Sequence, residues 1–191
     1  MQMCEYADVQ MMKILDRFTN PGFTLGFFNI IGMENQGQQK FMQMAIDLSE
    51  YNVKQGLGGP FGAVIVKDGM VLARSANKVV PTNDPTAHAE VSVIRLACQE
   101  LGTFNLEGCE IYTSCEPCPM CLGAIYWARI DKIYYANTKA DAAAIGFDDH
   151  FIYDELERPM DKRKMPFVQL MRDEALSAFK LWETSELKTG Y

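Results

Sequence analysis

Two short segments, His88-Ala89-Glu90 and Pro117-Cys118-Pro119-Met120-Cys121, constrain what this chain can fold into more than any other feature. One imidazole and two thiolates from separate segments make a donor set suited to Zn²⁺, so any fold the chain adopts has to bring those segments together. Three protein ligands rather than four leave a position open for water, the arrangement of a catalytic site rather than a structural staple. Glu90 is close enough in sequence to sit beside such a metal without ligating it, where a general acid/base acting on water belongs. A lone Cys-x-x-Cys also occurs in redox motifs and structural zinc sites, and a lone His-x-Glu carries little information. Together, in this order and with a strand before the second segment, they point to one catalytic Zn²⁺ per subunit on His88, Cys118 and Cys121.

The local sequence places both segments at helix starts. Asp84-Pro85-Thr86 is a turn and N-cap signal ahead of the apolar run Val91, Val93, Ile94, Leu96 and Ala97, which sets His88 and Glu90 in a first turn. Residues two apart in a regular helix point away from each other, so facing one metal requires an irregular turn there. Cys118 and Cys121, three apart, are neighbours on one face, and Pro117 and Pro119 favour a helix opening that runs on through Tyr126-Trp127. Unpaired N–H groups and the helix dipole at that end stabilise thiolates.

The order H-x-E…P-C-x-x-C is similar to the signature of the zinc nucleobase deaminases. Two thiolates and a neutral imidazole cancel the charge of Zn²⁺, so the metal acidifies its water less than an all-histidine site would, and a nearby base becomes necessary. Glu90 is expected to take the water proton as the oxygen attacks an amidine-like ring carbon. It then delivers that proton to the ring nitrogen and the departing amine, leaving a carbonyl and ammonia.

Composition narrows the partners. At 191 residues, 48% hydrophobic and 23% charged, the chain fills one globular domain. Six cysteines are too few for a disulfide framework at this length, and two are better used as metal ligands, so a reducing, cytoplasmic setting is expected. Of the others, Cys98 and Cys109 read as reduced core residues, while Cys4 and Cys115 show no ligand spacing. No apolar stretch reaches the ~20 residues of a membrane span, and the residues before the short run Phe23–Met33 include Glu5, Asp8 and Asp16 instead of a basic run, against a secretory signal. A net charge of −7 and a pI of 4.9 argue against nucleic acid. The basic cluster Lys162-Arg163-Lys164 reads as a solvated loop, and a small uncharged substrate fits better.

Periodicity predicts a layered α/β domain. Phe41, Met44, Ala45 and Leu48 repeat at helical spacing with Gly56 as the stop. Phe61–Val66 and Val71–Ser75 read as antiparallel strands around a Lys67-Asp68-Gly69 turn. Glu110–Thr113 and Lys132–Ala136 read as further strands, Phe167–Met171 as another, and Glu174–Lys188 as helical. No internal repeat appears.

Further stretches narrow the resemblance: Gly58-Gly59-Pro60-Phe61-Gly62-Ala63-Val64-Ile65-Val66, Asn83 to Val91, Tyr112 to Arg129 with its Tyr126-Trp127-Ala128-Arg129 end, and Gly146-Phe147-Asp148-Asp149, with a tyrosine at the C-terminus. From about Met33 to Tyr191 the chain resembles the guanine deaminases of the cytidine deaminase superfamily, especially the short bacterial type. That resemblance implies a three-layer α/β/α cytidine deaminase-like fold with a five-stranded mixed sheet, and hydrolysis of guanine to xanthine and ammonia. It implies purine contacts from Asn77, Asp149 and Tyr191, ring packing by Phe61 and Trp127, and a homodimer that exchanges C-terminal segments. Each residue has a plainer reading: Phe61 and Trp127 as core aromatics, Asn77 in a turn, Asp149 as a helix cap, and Tyr191 as a mobile end. Residues 1–32 depart from the family pattern and read as a dispensable extension, with the deaminase domain at 33–191. Guanosine deamination, tRNA adenosine editing and a zinc-stabilised binding module are the alternatives.

Overall fold

The structure, a computed structural model, describes residues 21–190, with side chains from Gln36 onward. Residues 1–20 and Tyr191 lie outside the described residues. Helix α1 (Pro21–Lys54) leads into a hairpin of β1 (Gly62–Lys67) and β2 (Met70–Ala76). A short helix α2 (Val79–Thr82) then precedes α3 (Ala89–Leu101), β3 (Cys109–Cys115), α4 (Pro119–Trp127) and β4 (Lys132–Asn137). Three helices follow, α5 (Lys139–Ala144), α6 (His150–Glu157) and α7 (Arg172–Thr184).

The hairpin turns as expected because Asp68 and Gly69 both adopt positive φ, 50° and 73°, the twist that matches paired strands. Among the described residues the sheet has four strands in the order β2-β1-β3-β4. β1 runs antiparallel to both β2 and β3, and β3 runs parallel to β4, so the sheet is mixed. The fifth strand expected from the family is not formed by Phe167–Met171, which belongs to no regular element. That segment has high β propensity but pairs with no strand among the described residues, and its Val168 and Leu170 side chains are 84% and 80% exposed.

β1 is buried on both faces, and its alternation sorts the core into two layers. Val64 and Val66, with Tyr112 of β3, meet Phe41, Met44, Ala45 and Leu48 of α1. Ala63 and Ile65, with Ile111, meet Ala89, Val93 and Ala97 of α3 and Ile125 of α4. The α/β/α layering read from the sequence is therefore present. Gly62 sets how closely α1 crosses β1: a Cβ there would meet the Ala45 carbonyl, and would lie 2.8 Å from Leu48 Cβ.

α1 stops where expected, at Gly56 with φ 64°. It starts far earlier than the Phe41–Leu48 repeat indicates, running back to Pro21 within the extension that departs from the family pattern. The apolar residues of Phe23–Ile31 are interrupted by Thr24, Gly26 and Asn29 at no 3.6-residue spacing, so the segment carries no helical period in its sequence.

Candidate metal centre and active site

His88 is the N-cap of α3, with extended backbone (φ −61°, ψ 158°), while Glu90 lies in the helix's first turn. This resolves the geometric difficulty in the motif: His88 stands outside the helix, so it and Glu90 need not diverge as two helical residues would. Cys118 repeats the arrangement as N-cap of α4 (φ −66°, ψ 168°), with Pro119 opening the helix and Cys121 in its first turn. The His88 and Cys118 carbonyls accept the first helical bonds, from Ser92 N at 2.9 Å and Leu122 N at 2.8 Å. Neither side chain caps its own helix, so both remain available as ligands. Two helix N-termini thus converge at one end of the sheet, a favourable setting for thiolates.

The donor atoms of His88, Cys118 and Cys121 all lie within 4.8 Å of one another. His88 Nδ1 is 3.6 Å from Cys118 Sγ and 3.5 Å from Cys121 Sγ. Tetrahedral Zn²⁺ with Zn–N of ~2.0–2.1 Å and Zn–S of ~2.3 Å gives an N···S edge of about 3.6 Å. The three side chains are therefore spaced as the ligands of one zinc ion. The Cys118 thiol is pushed down to about 4, chiefly by its hydrogen bond with Cys121 and also by His88. The Cys121 thiol is pushed up, first by Cys118 and then by burial. His88 is raised, mainly through its bond to Cys118. A cation at this cluster would displace protons, so its binding is coupled to pH. Glu90 is only 6% exposed, and burial raises its carboxyl above the ordinary range.

A cavity of about 450 Å³ opens beside this cluster, with His88, Glu90 and Cys118 on one side and Phe61, Asn77 and Asp149 around the rest. Its volume falls within the ordinary range for small-molecule sites. Asn77 follows β2 and is buried, and its Oδ1 accepts a hydrogen bond from Val79 N at 3.2 Å. α5 begins with a reciprocal capping box between Thr138 and Asp141 and leads to the loop that carries Asp149. Asp149 sits at the N-cap of α6 but its side chain makes no cap bond; Asp148 accepts from His150 N instead, at 2.9 Å. Burial raises the Asp149 carboxyl as well.

Trp127 is placed differently from Phe61: it lies at the C-terminal end of α4, is 66% exposed, and is not among the residues around the cavity. Phe147, to which the sequence reading gave no role, does line the cavity and meets Phe61 edge-on, with ring centroids 4.9 Å apart at 89°. Glu116 and Lys139 were also missed; Glu116 Oε2 accepts from Lys139 N at 3.0 Å, joining the cysteine segment to α5 beside the cavity. Phe147 stood within a matched stretch, but one aromatic in a glycine-containing loop gives no distinguishing pattern. Contacts like Glu116–Lys139 have no local signal at all.

A helix-borne His-x-Glu and Cys-x-x-Cys meeting at the end of a mixed sheet define a zinc-dependent deaminase. The cytidine and deoxycytidylate deaminase zinc-binding region matches residues 35–137, and the chain belongs to that family. It is 52% identical to guanine deaminase of Bacillus subtilis (strain 168) over 153 residues, which take in 80% of this chain and 98% of that protein. An X-ray structure of guanine deaminase from Bacillus subtilis covers the same shares at 52% identity with a TM-score of 0.78. A tRNA-specific adenosine deaminase of Agrobacterium fabrum (strain C58) is 49% identical over 86 residues, 45% of this chain and 57% of that protein. The match to the guanine deaminase thus takes in 80% of the chain, whereas the tRNA enzyme's shorter match leaves more than half of the chain uncovered.

Proposed function

We propose that this chain hydrolyses guanine to xanthine and ammonia. The observation that carries the reading is a His88/Cys118/Cys121 donor set beside buried Glu90 on a small-molecule cavity, in a chain 52% identical to a guanine deaminase along 98% of that protein. Bound zinc would act as a Lewis acid and lower the pKa of a coordinated water. Glu90 accepts the proton of the attacking water and passes it to the ring nitrogen beside the amino-bearing carbon. A second proton transfer through Glu90 lets the amino group leave as ammonia. One C–O bond forms and one C–N bond breaks. Asn77, Asp149 and Tyr191 contact the polar edges of the purine and Phe61 packs on its ring, whereas Trp127, exposed and away from this chain's cavity, is not placed to pack on the same ring.

A homodimer that exchanges C-terminal segments is part of the same proposal, and the C-terminal arm supports it. Phe179, Leu181 and Trp182 of α7 are 74%, 71% and 49% exposed, an apolar surface that favours burial against another subunit. Exchange of this arm between identical chains would bring Tyr191 to a partner's cavity. We infer a deaminase domain at 33–191 with 1–32 dispensable; the start of the family match at residue 35 supports that reading. Among the described residues no helix is long and apolar enough to cross a membrane. A cytoplasmic setting is proposed because the five described cysteines are free thiols.

Ammonia release from guanine, guanosine, adenine, cytosine and a tRNA anticodon stem-loop tests this reading. Guanine is expected to be the preferred substrate. Preference for guanosine or the stem-loop would replace it with those activities, and no release from any of them by zinc-loaded protein would leave a binding module.

A further inference from the structure

Asn52 lies in the last turns of α1, is 2% exposed, and is not among the residues around the cavity. Its single amide nitrogen nevertheless joins the two segments that supply the cavity's purine-facing wall. Asn52 Nδ2 donates to Gly59 O at 2.8 Å and to Asn77 O at 3.0 Å. A side-chain amide has two N–H donors, and both are committed here. The two acceptors also fix the amide's orientation, because the flipped form would set Asn52 Oδ1 against two carbonyl oxygens. Asn77 N in turn donates to Phe61 O at 2.9 Å, which closes a small network around the Gly58–Phe61 loop. Gly58 lets the network close: it has φ 150°, and a Cβ there would lie 3.2 Å from Asn52 Nδ2 and 3.3 Å from Asn77 Oδ1.

We propose that Asn52 is a positioning residue for substrate recognition, acting from behind the cavity by fixing Asn77 and the loop before Phe61. The inference rests on the guanine reading of the site. Asn77 Oδ1 is held by Val79 N, so the amide presents Nδ2 as the group left to meet a ligand. That orientation serves recognition only while the Asn77 backbone is held, and Asn52 is the side chain that holds it. A buried polar network of this kind is cooperative, so losing one member disturbs the others.

The test is a double-mutant cycle on zinc-loaded protein with guanine as substrate. Asn52→Ala is expected to raise KM by ~10-fold, the scale of about one hydrogen bond, with kcat and zinc content little changed. Asn77→Ala supplies the second arm, and in that background Asn52→Ala should add much less than it does alone. If Asn52→Ala does not accumulate as folded protein, Asn52→Ser, which keeps one donor, replaces it with a smaller rise expected. An unchanged KM in a folded variant, or effects that multiply fully across the cycle, overturns the proposal and leaves Asn52 a purely structural residue. Wild-type protein assayed in parallel separates the two readings: an inert wild type defeats the guanine assignment, whereas an active wild type with an indifferent Asn52 variant defeats only this one.

Discussion

Replacing Glu90 with Gln removes the proposed proton carrier while preserving its size. The donor group consists of His88, Cys118 and Cys121, so zinc should remain at one per chain. Because Glu90 is 6% exposed, the variant exchanges a buried acid for a neutral amide, and thermal stability should hold or rise slightly. Turnover should behave differently. Loss of a positioned general base costs ~10²–10⁴-fold, and here one carboxyl serves both the attacking water and the leaving amine, which places the loss at the upper end. A 10⁴-fold loss is ~5.4 kcal/mol of transition-state stabilisation. Steady-state xanthine formation, followed beside metal analysis and a melting curve, separates these effects. Near-normal turnover would refute the role, and loss of zinc with turnover would instead make Glu90 a ligand.

Cys118→Ala or Cys121→Ala should weaken zinc binding by more than ~100-fold, the upper figure for merely outer-sphere groups, and abolish activity; Cys98→Ala should retain both, as metal analysis and turnover would show. Gly62→Ala forces a Cβ to within 2.8 Å of Leu48 Cβ and into the Ala45 carbonyl, so the urea midpoint should fall by the equivalent of ~1–3 kcal/mol; an unchanged midpoint would mean α1 can move away from the sheet freely. Deleting Thr189–Tyr191 should lower guanine turnover far more than zinc content. If tails are exchanged, dimers mixing that truncated chain with a Glu90→Gln chain should regain activity, and confirmed mixed dimers without recovery would mean each chain closes its own site.

Legibility in the sequence followed how local each signal was. β1, its turn and β2 were readable because alternation and Asp68-Gly69 specify a hairpin within a few residues. The zinc ligands were readable because each segment carries its own helix-start signal. What the motif did not show is that His88 and Cys118 are N-caps rather than helical residues, and that backbone state removes the conflict between positions two apart. The early part of α1 was hidden because its apolar residues and Thr24, Gly26 and Asn29 follow no helical spacing. The strand expected at Phe167–Met171 had the right composition but depended on a pairing partner, which no local pattern supplies. Asn77 and Asp149 were suggested by family resemblance alone, because the bond from Asn52 to Asn77 spans 25 residues and the bond of Asp148 with His150 beside Asp149 belongs to no motif that singles it out.

One zinc held by His88, Cys118 and Cys121 is proposed to enable guanine hydrolysis. Zinc titration into chelator-stripped protein, with guanine present, measures this directly. Xanthine formation should rise in proportion to added zinc and level off at one ion per chain, with one ammonia released for each xanthine. Full activity in the stripped protein, or saturation with zinc and no xanthine, would contradict the account.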